Sequence, residues 1–141
     1  MQVVVAGIIL SKDRKRILLT QREGPDYAFC WCHPGGKMEL TDSDPAAALV
    51  RELREEIGVW YQPPTEIFDV QLFGPPSCKE EVELRTYIMS HEMQGTGPIL
   101  PLDGTLGLGW FTPAEIYGLT VTPGLSNLRE KLRHTFQRTD I

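Results

Sequence analysis

Apolar and polar positions change period several times along the chain, and each change marks an element. Val3 to Leu10 is rich in β-branched residues and predicts a strand, Ser11 to Arg16 a polar turn, and Ile17 to Gln21 a returning strand. Breakers crowd Arg22-Glu23-Gly24-Pro25-Asp26, which reads as a loop. Tyr27 to His33 then reads as a short strand whose alternating Tyr27, Phe29 and Trp31 share one face. From Pro45 the period turns helical: Ala46, Leu49, Val50, Leu53 and Ile57 form one apolar stripe. Asp44 suits the N-cap and Pro45 the first helical position, because Pro lacks an amide hydrogen and fixes φ near the helical value. Gly58 supplies the stop.

Beyond that helix, Trp60 to Pro64 reads as a stiff connector, and Glu66 to Phe73 and Glu81 to Ser90 as strands parted by the breakers Gly74 to Cys78. In the second of these strands Val82, Leu84, Thr86 and Ile88 fall on one face, with Glu81, Glu83, Arg85 and Tyr87 on the other. Gln94 to Gly104 reads as a glycine- and proline-rich loop. Leu125 to Phe136 reads as an amphipathic closing helix, apolar at Leu125, Leu128, Leu132 and Phe136, with Arg129, Lys131, Arg133 and Arg138 making a basic face.

Length adds one domain, residues 1–141, large enough to bury a core. The net charge of −5 disfavours a nucleic-acid polymer, whose phosphates are bound through surplus Lys and Arg. A small phosphorylated substrate stays compatible, because a bound cation reverses the local field. Met1 to Leu10 is too short to span a membrane and lacks the basic start of a signal peptide. That leaves no membrane expected, and three cysteines without a disulfide framework point to a reducing, cytoplasmic setting. Cys30, Cys32 and His33 lack the second ligand pair of a structural zinc site, so small buried hydrophobes are the better reading of these cysteines. Monomer and homodimer both remain open.

The chemistry concentrates on the helix. Glu52, Glu55 and Glu56 stand at i, i+3 and i+4, so three like charges share one face. Their repulsion needs compensation. A solvated face laced by Arg51 and Arg54 is one answer, and a hard divalent cation such as Mg²⁺ with oxygen ligands is the other.

Arg51-Glu52-Leu53-Arg54-Glu55-Glu56-Ile57-Gly58-Val59, preceded by Gly35-Gly36-Lys37 and Glu39, resembles the signature of the Nudix hydrolase family, G-x5-E-x7-R-E-U-x-E-E-x-G-U with U aliphatic. The resemblance spans residues 35–59. Asp42 stands where the family has Glu, and eight residues rather than seven separate it from Arg51. The resemblance implies an α+β fold, a Nudix-like α/β/α sandwich whose mixed β-sheet is flanked by the catalytic helix and a C-terminal helix. Trp110 to Ile116 resembles the short strand and helix start common in that family.

By the same resemblance, Glu52 and Glu56 are expected to bind Mg²⁺, with Mn²⁺ as a substitute. The Gly36 carbonyl is expected to add a ligand, and Glu55 another, directly or through water. Glu55 or Glu52 is the expected general base, Arg51 joins the catalytic set, and Asp42 orients the helix by pairing with Arg51. Asp103 is the expected acid from outside the signature, with Glu81, Glu83 and Glu92 as competitors. Lys37 and Arg22 are expected to approach phosphates. Core packing and stacking on a base are both open for the aromatic face, with Phe29 and Trp31 the candidates for a base.

The implied reaction is hydrolysis of a phosphoanhydride in a nucleoside diphosphate derivative. MutT-type cleavage of a (d)NTP or modified (d)NTP to NMP and pyrophosphate stands first, and ADP-ribose, nucleotide sugars and dinucleotides are alternatives. Pro75 and Pro76 lie near the position of the proline typical of ADP-ribose-cleaving members, without matching it. A module that senses a nucleotide without hydrolysing it is the competing class. Such modules are expected to lose helix glutamates, and all three are present.

Overall fold

The computed structural model describes residues 1–76, 78–89, 93–94, 99–102 and 104–136. The chain runs β1 (Gln2–Ile8), β2 (Ile17–Arg22), β3 (Trp31–Cys32), β4 (Gly35–Lys37), α1 (Pro45–Ile57), β5 (Trp60–Tyr61) and β6 (Glu66–Phe73). It continues through β7 (Val82–Ile88), β8 (Met93–Gln94), β9 (Thr105–Phe111), α2 (Pro113–Ile116), α3 (Pro123–Ser126) and α4 (Arg129–Phe136). The architecture is α+β, as expected.

Four strands form a mixed sheet in the order β4-β1-β7-β6. β1 runs parallel to β7, with Val5 opposite Arg85, and antiparallel to β4, with Val5 opposite Gly36. A second, antiparallel sheet has the order β3-β2-β9, and β5 pairs with β8.

Strands β1 and β2 are apolar on both faces because each face meets its own core. Val5 and Leu18 join Leu49, Leu53 and Ile57 of α1 in one buried cluster. Ile8, Ile17 and Leu19 face the other way, against Leu125, Leu128 and Leu132. These alternating positions put α1 on one side of the strands and the C-terminal helices on the other.

Three expectations need correction. The run 27–33 is a strand only at Trp31–Cys32. Tyr27 and Phe29 have φ of 53° and 67°, left-handed values that no strand accommodates. The backbone there turns instead, with Phe29 N–H donating to Arg22 O and Cys30 N–H to Tyr27 O. The stiff connector contributes a two-residue strand, β5. The closing helix is two: α3 ends at the Asn127 cap and α4 starts afresh at Arg129, while Leu125, Leu128 and Leu132 still share one buried cluster.

Candidate functional site

Local chemistry sets α1 and hence the glutamates. The Asp44 carboxylate accepts from Ala47 N–H at 2.8 Å, capping the first turn. Gly58, at φ 73°, donates its N–H to Arg54 O and closes the last. Glu52 and Glu56 therefore project one turn apart toward β4.

β4 approaches so closely that it needs glycine at two successive positions. A Cβ on Gly36 would lie 2.5 Å from the Glu52 carboxyl carbon, and one on Gly35 would lie 1.9 Å from Val5 O. The two glycines thus serve different ends: Gly36 makes room for a site carboxylate, Gly35 for the backbone of β1.

Each of the three glutamates is held differently. Glu56 is largely buried; its Oε1 accepts from the Thr20 hydroxyl at 3.2 Å and its Oε2 from Gly35 N–H at 3.1 Å. Burial pushes its carboxyl up to about 7, against the lowering effect of those two donors. Burial also raises the Glu52 carboxyl, opposed by the guanidinium of Arg51 at 3.1 Å. Glu55 is more exposed and pairs with Arg51 at 3.0 Å.

Arg51 is the hub of this network. Its Nε and Nη2 donate to the two oxygens of Asp42, and Nη2 also reaches Lys37 O at 3.0 Å. Nη1 is left for Glu52 and Glu55. The paired guanidinium holds the Asp42 carboxyl below the usual range. Arg54, by contrast, stacks over Trp60 at 4.4 Å, so the compensation for the acidic face inside the protein comes from Arg51.

Thr20, Arg22, Gly24, Gly35, Glu52, Glu56 and Gly104 line one cleft of about 190 Å³. Of the residues singled out in the sequence, this brings Glu52, Glu56 and Arg22 together, with Gly36 packed against Glu52. Arg22 is tethered, its Nε donating to Asp26 O at 2.9 Å. Lys37 is exposed. Phe29 is 65% exposed on the turn beside Arg22. Trp31 packs edge-on against Phe111, with centroids 5.1 Å apart, in the core on the α4 side. Glu83 pairs with Arg85 at 3.1 Å and, like Glu81, is not among the residues lining the cleft. Asp103, Glu92 and Arg138 lie outside the described residues.

Thr20 was not foreseen. The signal available in the sequence was a hydroxyl at the end of the apolar run Ile17-Leu18-Leu19, a place where a polar side chain must find a partner. His33 is buried with neither ring nitrogen hydrogen-bonded among the described residues, and burial lowers it to about 4.

Among the described residues no three His, Cys, Asp or Glu side chains converge as a ready-made metal cluster. Two glutamates do face one cleft, their side-chain donor atoms are oxygen, and one carboxylate is desolvated there with no ion pair among the described residues, the charge of Arg22 lowering it only in part. Such a donor set fits a hard divalent cation.

Comparison with known proteins agrees with this geometry. A family model described as NUDIX domain matches residues 1–135. The chain is 31% identical over 136 residues to the CTP pyrophosphohydrolase of Escherichia coli K12, a match covering 86% of this chain and 84% of that protein. It is 45% identical over 58 residues to the 8-oxo-dGTP diphosphatase of Haemophilus influenzae, covering 40% of this chain and 42% of that protein. The solution structure of the Escherichia coli ORF135 protein superposes with a TM-score of 0.78 at 28% identity, over 99% of this chain and 95% of that one.

Proposed function

This chain belongs to the NUDIX family and is a hydrolase of acid anhydrides, and from that premise we propose that it cleaves a nucleoside triphosphate, normal or modified, to the monophosphate and pyrophosphate. The observation that carries the reading is the pairing of Glu52 and Glu56 in one cleft, with Arg51 fixed behind them by Asp42. The triphosphate class is favoured because the relative matched along most of both chains is named for CTP, and a second for 8-oxo-dGTP, while RNA pyrophosphohydrolases match over shorter stretches.

Members of this family use divalent cations, and here Mg²⁺ is the proposed ion, with Mn²⁺ able to replace it. Glu56 and Glu52 would hold it, the Gly36 carbonyl would add an oxygen, and Glu55 would contribute directly or through water. When bound, the ion supplies counter-charge for phosphate oxygens and acidifies water.

The chain's own groups do the rest. Water adds to phosphorus, the anhydride P–O bond breaks toward pyrophosphate, and one proton leaves the water. Glu52 is the better of the two candidates to take that proton. Arg51 reaches both, but Glu52 lines the cleft with its carboxyl raised by burial, whereas Glu55 does not line it. Arg51 limits the repulsion among the glutamates and keeps Glu52 in place. Arg22 and Lys37 offer positive charge to the phosphates, and the exposed ring of Phe29 offers the base a stacking face.

The test is a competition assay. Nucleoside triphosphates, ADP-ribose, a dinucleotide polyphosphate and a nucleotide sugar are mixed with Mg²⁺ and protein, and products are separated by ion exchange. Preferential formation of monophosphate and pyrophosphate is expected. Preferential cleavage of another class replaces the triphosphate reading, and nucleotide binding without turnover replaces the enzyme by a sensor.

A further inference from the structure

Among the glutamates of α1, Glu56 differs in that both its oxygens are already engaged, from two separate elements. Gly35 N–H of β4 takes Oε2, and the Thr20 hydroxyl of β2 takes Oε1. The first donor is backbone and belongs to any residue at that position. The second depends on a side chain, and that side chain is 1% exposed.

Thr20 has one hydroxyl proton and two nearby acceptors. The Cys32 carbonyl lies at 3.4 Å and the Glu56 carboxylate at 3.2 Å. A charged acceptor makes the stronger bond, so the proton goes to Glu56. Cys32 Sγ, 3.6 Å from the hydroxyl oxygen, is placed to donate into it and complete its bonding. Thr20 and Cys32 are cross-strand partners, so β-sheet pairing fixes the hydroxyl where the helix delivers Glu56.

A glutamate side chain reaching across a cleft from a helix has three rotatable bonds to restrain. Two donors on different strands fix the plane of its carboxylate and leave the remaining lone pairs for a ligand in the cleft. We infer that Thr20 is a positioning residue for this site, setting the orientation in which Glu56 offers its carboxylate to a divalent cation. The inference rests on the proposed cation-holding role of Glu56 and adds to it a residue that neither the helix nor the glycine loop contains.

The experiment measures Mn²⁺ affinity by electron paramagnetic resonance on metal-free protein, without substrate. The wild type is compared with Thr20→Val, which keeps shape and removes the hydroxyl, and Thr20→Ser, which keeps the hydroxyl. Loss of an outer partner of a ligand weakens metal binding about 10- to 100-fold. Thr20→Val is therefore expected to lose Mn²⁺ affinity on the order of tenfold, and Thr20→Ser to stay close to wild type. Thermal melts of the metal-free variants check that each is folded, and Thr20→Ala, which cannot overpack, stands in if the valine variant does not fold.

Wild-type Mn²⁺ affinity in a folded variant lacking the hydroxyl overturns the inference, as does equal loss in valine and serine variants. Failure of the proposed function reads differently: the wild type binds Mn²⁺ yet turns over no triphosphate, and the Thr20 comparison still stands on affinity. A wild type that binds no Mn²⁺ overturns both.

Discussion

Arg51 and Asp42 are joined by two parallel hydrogen bonds, Nε to Oδ1 and Nη2 to Oδ2, each 2.9 Å long. This fork-to-fork geometry spans the loop that is one residue longer than the family pattern, so the shorter acid reaches the arginine despite the insertion. The third nitrogen of Arg51 remains directed at Glu52 and Glu55. The pair therefore ties the geometry of the loop to the charge balance of the acidic face.

Removing Asp42 should cost stability and also loosen Arg51. Asp42→Ala is expected to lose about 1.5–3 kcal/mol, the range for hydrogen bonds to charged groups. A double-mutant cycle with Arg51→Ala, read by urea unfolding, should show a coupling of similar size. Additive losses would mean the bidentate contact contributes little. Exchanging the two charges should not restore stability, because an acid at position 51 would face Glu52 and Glu55.

The adjacent glycines should separate stability from activity. Gly35→Ala puts a methyl group into the backbone of β1 and is expected to destabilise by about 2 kcal/mol or more. Gly36→Ala meets only the end of the Glu52 side chain, which can move. It is expected to melt near the wild type while losing at least about tenfold in kcat through displacement of that carboxylate. Equal effects of both substitutions on melting and on kcat would contradict this division.

Two buried groups should pull the pH dependence of stability in opposite directions. His33 falls from 6.5 unfolded to about 4 folded, so the unfolded chain binds more protons in that window. Its contribution is present above pH 6.5 and is lost as pH falls toward 4, by up to about 3 kcal/mol. Glu56 rises from 4.5 to about 7, so its burial costs stability above pH 7 and that cost is relieved as pH falls toward 4.5. Metal-free wild type should therefore show a flattened profile. In urea titrations, His33→Leu should become relatively more stable toward pH 5, and Glu56→Gln relatively less. Parallel profiles for the two variants would refute the assignment.

The sequence disclosed what depends on near neighbours. Both ends of α1 were legible because Asp44, Pro45 and Gly58 act within one turn of themselves. The two faces of the strands were legible as runs of apolar residues. Alternation misled at Tyr27 and Phe29, where a turn with left-handed φ at both residues is closed by Phe29 N–H donating to Arg22 O, seven residues back, and Cys30 N–H donating to Tyr27 O. The closing helix looked continuous because its leucines keep helical spacing across the break near Asn127. Thr20 could not be linked to Glu56 from spacing, because 36 residues separate them and only the pairing of β2 with β3 and the docking of α1 bring them together.

The most direct test of the central reading is the Mg²⁺ dependence of pyrophosphate release from nucleoside triphosphates by the wild type and by Glu56→Gln. The expected result is release of monophosphate and pyrophosphate in equal amounts, abolished by chelation and reduced about 10²- to 10³-fold in Glu56→Gln, in line with losing a group that stabilises transition-state charge. Turnover that survives chelation, or a Glu56→Gln protein as active as the wild type, would contradict it.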